Sequence, residues 1–281
     1  MSRRCVGRFA PSPTGVLHLG NLRTAVAAQM FASDGLIIRM EDLDRVTSSR
    51  ALAEDQLIDL AAIGIESCQD VVFQSDRFEI YESYLTRLIG HGLTYECFCT
   101  RREIREAAAA PHGDFLVYPG TCRNLSKTER DERRTVRPPA LRLRVEEDAR
   151  AGGLVDDIVL QRNDGVPAYN LAVVIDDELQ DVTQVVRGVD LQPVTPSQQY
   201  LGSLLGCRLL EYVHVGLVVG PDGERLAKRH GAVTLSDWLA TGRTASDLRR
   251  ALKRSLQDRE LGAQCPIDDI FPAARPPLSQ F

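Results

Sequence analysis

The chain has 281 residues, of which 43% are hydrophobic and 26% are charged, a composition typical of a globular protein with a sizeable core. No run approaches the roughly 18 apolar residues of a membrane helix, and the N-terminus lacks a signal-peptide core, so we expect a cytoplasmic protein. The net charge of -5 argues against indiscriminate nucleic-acid binding. Seven cysteines without an export signal favour free thiols or a metal site over disulfides.

Strands alternate with helices at the start of the chain. CVGRFA predicts a strand, NLRTAVAAQMFASDG a helix that stops at Gly35, and LIIRMED a second strand. Four apolar residues recur at helical spacing in this helix: Leu22, Val26, Met30 and Phe31.

The alternation continues through a second helix and a third strand. SSRALAEDQLIDLAAIG predicts a helix with Ser48 or Ser49 as N-cap and Gly64 as its breaker, and VVF predicts a strand. SDRFEIYESYLTRLIGHG predicts a third helix with one apolar face: Phe78, Tyr81, Leu85 and Leu88. This order indicates a parallel sheet with right-handed crossovers.

The pattern changes after Gly92, where cysteines, arginines and a proline pair replace another crossover. Regular alternation resumes at VPAYNLAVVIDDELQ and continues through TQVVRG to a helix around PSQQYLGSLLG. We therefore predict a sheet that is split by an insertion. The predicted domains are 1–92, the first half of a nucleotide-binding domain; 93–160, the insertion; 161–232, the second half; and 233–281, a short helical segment and tail.

The turn after the first strand, within RFAPSPTGVLHLGNLRTA, is a candidate ligand site. Ligands of open α/β sheets bind beyond the carboxyl ends of strands, and a helix N-terminus offers N–H groups to anions. Gly15 and Gly20 permit close backbone approach, His18 can donate to a phosphate oxygen, and Asn21 lies near the helix start. A nucleoside triphosphate would fit. The alternative is a rigid proline loop in which His18 makes a structural contact.

Charged residues follow three predicted strands. Arg8, Glu41 and Arg187 all stand at predicted carboxyl ends, where a guanidinium can clamp a carboxylate and an acid can bind an amine. Taken singly, each could be an ordinary solvated charge. Together they suit an amino acid that carries an extra carboxylate.

Late in the chain, GPDGERLAKRHG combines glycines with the basic residues Arg225, Lys228 and Arg229. Such a loop could close over a triphosphate and stabilise the charge that builds on departing pyrophosphate. An ordinary hairpin with a basic surface is the alternative.

The insertion contains a candidate metal site. Cys97, Cys99 and Cys122 could supply three thiolates to a tetrahedral zinc ion, with Tyr118 or His112 as the fourth ligand. Small buried cysteines are the alternative. From Arg123 to Arg144 eight basic residues face three acidic ones, so this segment could contact RNA phosphates or could form a solvated helix.

Four stretches together resemble one enzyme family. RFAPSPTGVLHLGN is similar to the first signature of the glutamyl branch of class I aminoacyl-tRNA synthetases, with HLGN for the HIGH motif, and RLAKR is similar to its KMSKS loop. NDGVPAYNLAVVIDD and VVRGVDLQPVTPSQQYLGSLLG also match in order and spacing, over about residues 5 to 235. The resemblance implies an α/β fold: a Rossmann-type parallel sheet split by an inserted α+β zinc-containing subdomain, with a short helical C-terminal segment.

The resemblance also implies a reaction and a set of site residues. Glutamate and ATP, accompanied by Mg²⁺, would give glutamyl-adenylate and pyrophosphate before the glutamyl group passes to RNA. Arg8 and Arg187 would bind the two carboxylates and Glu41 the amino group. The implied glutamate pocket comprises Arg8, Phe9, Ala10, Pro11, Ser12, Glu41, Tyr169 and Arg187. His18, Gly20, Asn21 and Lys228 would bind ATP, and of these His18, Asn21 and Lys228 would support catalysis.

Length indicates which members of the branch the chain resembles. Only about fifty residues follow the KMSKS-like loop, whereas members that charge tRNA 3′ ends carry a large anticodon-binding domain there. The chain therefore resembles the short members, monomers without a membrane partner, which attach glutamate to queuosine in the anticodon loop of tRNA(Asp). Those members also carry the cysteine pattern, which implies that zinc is held by Cys97, Cys99, Tyr118 and Cys122. Two alternatives stay open: a minimal enzyme that charges a tRNA 3′ end, and a catalytically weak paralogue that binds glutamate or RNA.

Three positions depart from the family pattern. Ala227 replaces the first serine of the KMSKS loop, and Gln184 stands where the family usually has histidine. Asp181 stands where the family usually has glycine, which predicts a changed turn if that position needs a positive φ.

Overall fold

The computed structural model describes residues 5–108, 117–223 and 233–272. The chain divides into two compact units. The first comprises Met1–Phe73, Val182–Gln192 and Leu210–Phe281, and the second comprises Gln74–Asp181 and Pro193–Leu209. In the described ranges, no helix has the length and apolar character that a bilayer crossing requires.

The described elements alternate between strands and helices for most of the chain. In chain order they are β1 (Val6–Phe9), α1 (Leu19–Phe31), β2 (Gly35–Met40), α2 (Arg50–Ala62), β3 (Val72–Phe73), α3 (Phe78–Gly90), β4 (Thr94–Cys97), α4 (Arg101–Ala108), α5 (Lys127–Val136), β5 (Ala140–Leu143), α6 (Glu147–Ala151), β6 (Val159–Gln161), α7 (Tyr169–Leu179), β7 (Gln184–Gly188), α8 (Thr195–Leu205), β8 (Glu211–Val215), β9 (Val218–Val219), α9 (Leu235–Ala240), α10 (Ala245–Gln257), β10 (Cys265–Pro266) and α11 (Ile267–Ile270).

The first unit is built on a five-stranded sheet in the order β3-β2-β1-β7-β8, and every pairing in it is parallel. The predicted parallel sheet is therefore confirmed. Because side chains alternate along a strand, the sheet has two distinct faces. One face carries Phe9, Ile38 and Val186 into the main core, together with α1 and α10. The other carries a smaller apolar cluster that includes Val6 and Ile37.

Helix α1 begins at Leu19, with His18 as its N-cap. Of the four apolar residues at helical spacing, Leu22 and Val26 are in the core, whereas Met30 and Phe31 are 42% and 37% exposed. The buried residues of the helix end at Ala28, so its last turn does not face the core.

The other helix predictions in this part of the chain are confirmed. Ser49 is the N-cap of α2 and accepts a hydrogen bond from the Leu52 N–H at 3.1 Å. Helix α3 buries Tyr81, Leu85 and Leu88. Both results follow from local signals, a capping hydroxyl and helical periodicity.

The second unit contains an antiparallel sheet in the order β4-β5-β6. A buried carboxylate, Asp157, organises the region around it by accepting hydrogen bonds from the Tyr95 hydroxyl and the Arg123 guanidinium, both at 2.7 Å. Because the charge is paired and bonded, its burial is tolerated. This network supports the cysteine region described below.

Candidate active site and cysteine cluster

The turn Pro11–Gly15 is held by hydrogen bonds to its carbonyl oxygens. The Glu41 N–H donates to Pro11 O at 2.9 Å, and the Ser49 N–H donates to Pro13 O at 3.2 Å. The buried Gln56 amide donates to Ser12 O at 3.2 Å and to Gly15 O at 2.7 Å. The two prolines have no N–H to satisfy, and the Thr14 N–H donates to Ser12 O at 2.9 Å within the turn. The contribution of Gln56 was not predicted from sequence, and no local pattern signals it.

His18 closes the N-terminus of α1 with its own side chain. Its Nδ1 accepts hydrogen bonds from the N–H groups of Gly20 at 3.0 Å and Asn21 at 3.4 Å, while Asn21 Oδ1 accepts from the His18 N–H at 3.2 Å. With Nδ1 acting as acceptor, the neutral ring carries its proton on Nε2. His18 is thus set up as a donor at the end of the helix where anions bind.

Gly20 is required by this arrangement. A Cβ placed there would lie 2.8 Å from His18 Cε1 and 3.0 Å from His18 Nδ1. The imidazole ring occupies the space that any other side chain would need. The glycine in HLGN therefore allows the histidine to cap the helix.

Arg8 and Arg187 project from the same face of the parallel sheet. Arg8 pairs with Val185 on β7, and Arg187 lies two residues further along that strand, so alternation places both guanidinium groups on one side. Both are nearly fully buried, at 3% and 4% exposure. The structure thus brings together two of the residues predicted to bind carboxylates.

A third arginine on this face was missed by the sequence analysis. Arg8 also pairs with Ile37 on β2, which places Arg39 on the same side of the sheet. Arg39 is fully buried, and its Nη2 lies 3.8 Å from Glu41 Oε1, whose side chain is 11% exposed. The Glu41 carboxylate, which is predicted to bind the amino group, therefore lies just beyond the carboxyl end of β2, beside the buried Arg39 guanidinium. The only signal in the sequence is the alternation within LIIRMED.

Arg187 has neighbours on the adjacent strand β8. Its guanidinium lies 4.9 Å from the ring centre of Tyr212 and donates to Leu191 O at 3.1 Å. In the strand register it stands beside His214. Burial, and then the nearby positive charge of Arg187, lowers the pKa of His214 below its usual value.

The remaining predicted substrate-binding residues, Tyr169 and Lys228, lie apart from this sheet face in the sequence. Tyr169 is the first residue of α7 and belongs to the second unit. Lys228, with Arg225, Ala227 and Arg229, lies outside the described residues, as does His112. The residue that follows the undescribed stretch, Val233, accepts a hydrogen bond from the Leu19 N–H at 2.9 Å.

Cys97, Cys99 and Cys122 have their sulfur atoms within 4.8 Å of one another. The Tyr118 hydroxyl lies 3.4 Å from Cys97 Sγ and 3.5 Å from Cys99 Sγ, and the Cys99 and Cys122 sulfurs are 3.5 Å apart. A tetrahedron around zinc has edges of about 3.8 Å between sulfurs and about 3.5 Å between sulfur and oxygen. The two Tyr118 distances and the Cys99–Cys122 distance are close to these edges, and Cys97 Sγ lies within 4.8 Å of both other sulfurs.

The pKa values of the groups in this cluster are shifted in opposite directions. Hydrogen bonding from Cys97 lowers the pKa of Cys122 to about 6, and the same bond together with burial raises the pKa of Cys97 to about 12. Burial, with hydrogen bonds to the cysteines, raises the pKa of Tyr118. Without a cation, burial and these hydrogen bonds favour the protonated forms of Cys97 and Tyr118, whereas a metal ion would favour the anionic form of each ligand.

The basic segment after Cys122 forms helix α5, on which no residue is buried. Arg134 pairs with Glu96 and Asp131, both at 2.6 Å, and Arg137 donates to Phe98 O at 3.1 Å. These arginines contact the helix itself and the cysteine region. An RNA phosphate would have to compete with those partners.

Asp181 is the only non-glycine residue with positive φ in the described part of the chain, at 57°. The left-handed turn that glycine would allow is therefore kept, and the expected change of turn is wrong. The Asp181 carboxylate lies 2.8 Å from Arg208 Nη2, and Glu178 pairs with the same guanidinium at 3.1 Å. Aspartate tolerates this conformation better than most residues do. Gln184 extends from β7 to Glu211 at 3.3 Å.

The parallel sheet, the histidine-capped helix and the arginines at the strand ends define a catalytic domain of the class I synthetase type. The family described as class I tRNA synthetases (E and Q), catalytic domain, matches residues 4–262. A crystal structure of a glutamate tRNA ligase from Elizabethkingia meningosepticum in complex with its amino acid superposes with a TM-score of 0.72 at 24% identity, over 95% of this chain and 64% of that chain. This likeness concerns the fold, and the chain spans about two thirds of the length of that ligase.

Sequence comparison identifies a narrower group. The glutamyl-Q tRNA(Asp) synthetase of Nocardia farcinica is 54% identical over 263 residues, which cover 89% of this chain and 84% of that protein. The glutamyl-Q tRNA(Asp) synthetase of Cutibacterium acnes is 50% identical over 255 residues, which cover 85% of this chain and 72% of that protein. The chain belongs to the glutamyl-Q tRNA(Asp) synthetase family of class I synthetases, which confirms the predicted resemblance.

Proposed function

We propose that the chain is an ATP-dependent ligase that activates glutamate as glutamyl-adenylate and transfers glutamate to queuosine in the anticodon loop of tRNA(Asp). The observation that carries this proposal is the placement of Arg8 and Arg187 on one sheet face, with Glu41 at the carboxyl end of β2. Two acid-binding groups and one amine-binding group match the three charges of glutamate. The names of the relatives from Nocardia and Cutibacterium support the choice of RNA.

Activation is an in-line displacement at the α-phosphorus of ATP. The α-carboxylate of glutamate attacks, an acyl phosphate bond forms, and pyrophosphate leaves. Such a reaction depends on positioning and on charge stabilisation more than on a general base. His18 would donate from Nε2 to a phosphate oxygen of ATP, and the N–H groups of Gly20 and Asn21 would hold the imidazole in that orientation through Nδ1. Mg²⁺ would accompany ATP.

The other site residues have supporting roles in this proposal. Phe9, Ala10, Pro11 and Ser12, which follow Arg8 in the signature, are proposed for glutamate binding, although the Phe9 side chain itself lies in the main core. Tyr169 is proposed for glutamate binding from its motif. Lys228 would neutralise charge on the triphosphate.

Zinc would have a structural role within the inserted subdomain proposed for residues 93–160. Cys97, Cys99, Tyr118 and Cys122 would hold it, and their mutual distances support this ligand set. A bound zinc ion would fix the loop that carries these residues. Elemental analysis of the purified protein should find about one zinc per chain.

The RNA substrate is the point that most needs a test, because a minimal enzyme charging a tRNA 3′ end would activate glutamate by the same chemistry. The protein would be incubated with ATP, labelled glutamate and tRNA(Asp) either carrying or lacking queuosine. Label on the modified RNA alone is the expected result. Label at the 3′ ends of both RNAs would identify the minimal synthetase, and no glutamate-dependent pyrophosphate exchange would identify a catalytically weak paralogue. A size-exclusion measurement on the same sample should give a monomer.

A further inference from the structure

The proposed zinc ligands create a problem of charge. Three thiolates and a phenolate would carry four negative charges against two on Zn²⁺, which leaves a formal charge of about -2. Cys97, Tyr118 and Cys122 are each no more than 2% exposed. A net charge in such a place is costly unless cations or hydrogen-bond donors compensate it.

One compensating group is Arg142 on β5. Its guanidinium carbon lies 3.8 Å from the centre of the Tyr118 ring, and the residue is 7% exposed. Arg142 Nη1 donates to Asp157 O at 2.7 Å, which fixes the group over the ring. Its Nε is buried and has no hydrogen-bond partner among the described residues, and the charge of the guanidinium also acts on the buried Asp156 carboxylate. A buried cation therefore faces the ring whose oxygen is the proposed fourth ligand.

A second compensating group comes from helix α5. Arg133 Nη1 donates to Cys122 Sγ at 3.8 Å, and the Phe98 N–H donates to the same sulfur at 3.4 Å. The neighbouring Arg134 instead pairs with Glu96 and Asp131. Arg133 thus differs from Arg134 in contacting a sulfur atom.

We propose that Arg133 and Arg142 balance the excess negative charge of the zinc centre and thereby allow four anionic ligands to bind one divalent cation. This inference rests on the proposed zinc site. The two guanidinium groups approach different ligands, one at a sulfur and one over a phenol ring, so each lowers the cost of an anionic ligand independently. At least part of the basic segment after Cys122 therefore serves the metal.

The test measures zinc affinity directly, by competition with a chromogenic chelator of known affinity. Arg133→Gln should weaken zinc binding about 10- to 100-fold, the usual effect of removing a group that supports a metal ligand. Arg133→Lys, which keeps the charge, should recover part of the loss. Arg134→Gln is the matched control, because it removes a neighbouring arginine from the same helix without touching a sulfur, and its zinc affinity should equal that of the unmodified protein.

Arg142 is tested in the same assay with Arg142→Lys and Arg142→Met, and circular dichroism checks that each variant folds. Cobalt substitution adds a second readout, since absorption bands of tetrahedral Co²⁺ bound to thiolates report the ligand set. Unmodified protein that binds no zinc would overturn the metal site and this inference with it. If the unmodified protein, Arg133→Gln and Arg142→Met all bind one zinc with equal affinity, the charge balance is refuted and the proposed zinc site is retained. Neither result depends on glutamate transfer.

Discussion

Replacing Gly20 with alanine should lower the rate of glutamate activation while leaving the free energy of unfolding nearly unchanged. The new Cβ would lie 2.8 Å and 3.0 Å from two atoms of the His18 ring, so the ring must turn away from the helix end. Loss of an N-cap costs about 0.5–2 kcal/mol, whereas glycine to alanine within a helix gains about 1 kcal/mol. The two effects nearly cancel, and the free energy of unfolding should change little. Displacing a positioned group by about 1 Å can lower a rate about 100-fold.

Glutamate-dependent ATP–pyrophosphate exchange measures the activity, and urea unfolding measures the stability. Gly20→Ala should lower exchange about 100-fold at nearly unchanged stability. Gly90→Ala is the matched control, since Gly90 is also a helical residue, the last of α3, and a Cβ there meets nothing within 4 Å. That control should keep full exchange activity. Exchange at the normal rate in Gly20→Ala would refute the role assigned to the His18 cap.

Three further predictions concern the site and its surroundings. Arg8→Gln should raise the KM for glutamate far more than the KM for ATP, because one carboxylate-binding group is lost. Equal increases in the two KM values, measured by pyrophosphate exchange, would argue against that role. Asp181→Ala and Asp181→Gly both remove the pairing with Arg208, yet urea unfolding should show the alanine variant about 1 kcal/mol less stable, since only glycine adopts positive φ freely. The lowered pKa of His214 means that the unfolded chain binds the proton more readily, so stability should be complete above about pH 6.5 and should fall as the pH drops below it. Unfolding measured across pH 5 to 7.5 should show a weaker pH dependence in His214→Gln.

The order of strands and helices could be read from the sequence because its signals are local. Ser49 caps α2, and the apolar period of α3 marks Tyr81, Leu85 and Leu88, all within a few residues of where they act. Such features depend on neighbours along the chain.

Features that depend on partners far apart in sequence were decided by packing. Met30 and Phe31 share the helical spacing of Leu22 and Val26 in α1, yet both are exposed, since they lie beyond Ala28, the last buried residue of that helix. Asp181 keeps a left-handed turn next to Arg208, a partner 27 residues away that no local pattern reveals.

The candidate site shows the same division. The sequence by itself placed Arg8, Glu41 and Arg187 at strand ends and identified HLGN as the start of a helix. The register between parallel strands, which only the tertiary structure fixes, put Arg8 and Arg187 on one face and added Arg39 beside Glu41. A shift of one residue in that register would turn an arginine to the opposite face, because successive side chains of a strand point to opposite sides. The sequence thus determined which charged residues stand at strand ends, while long-range strand pairing determined which of them share one face of the sheet.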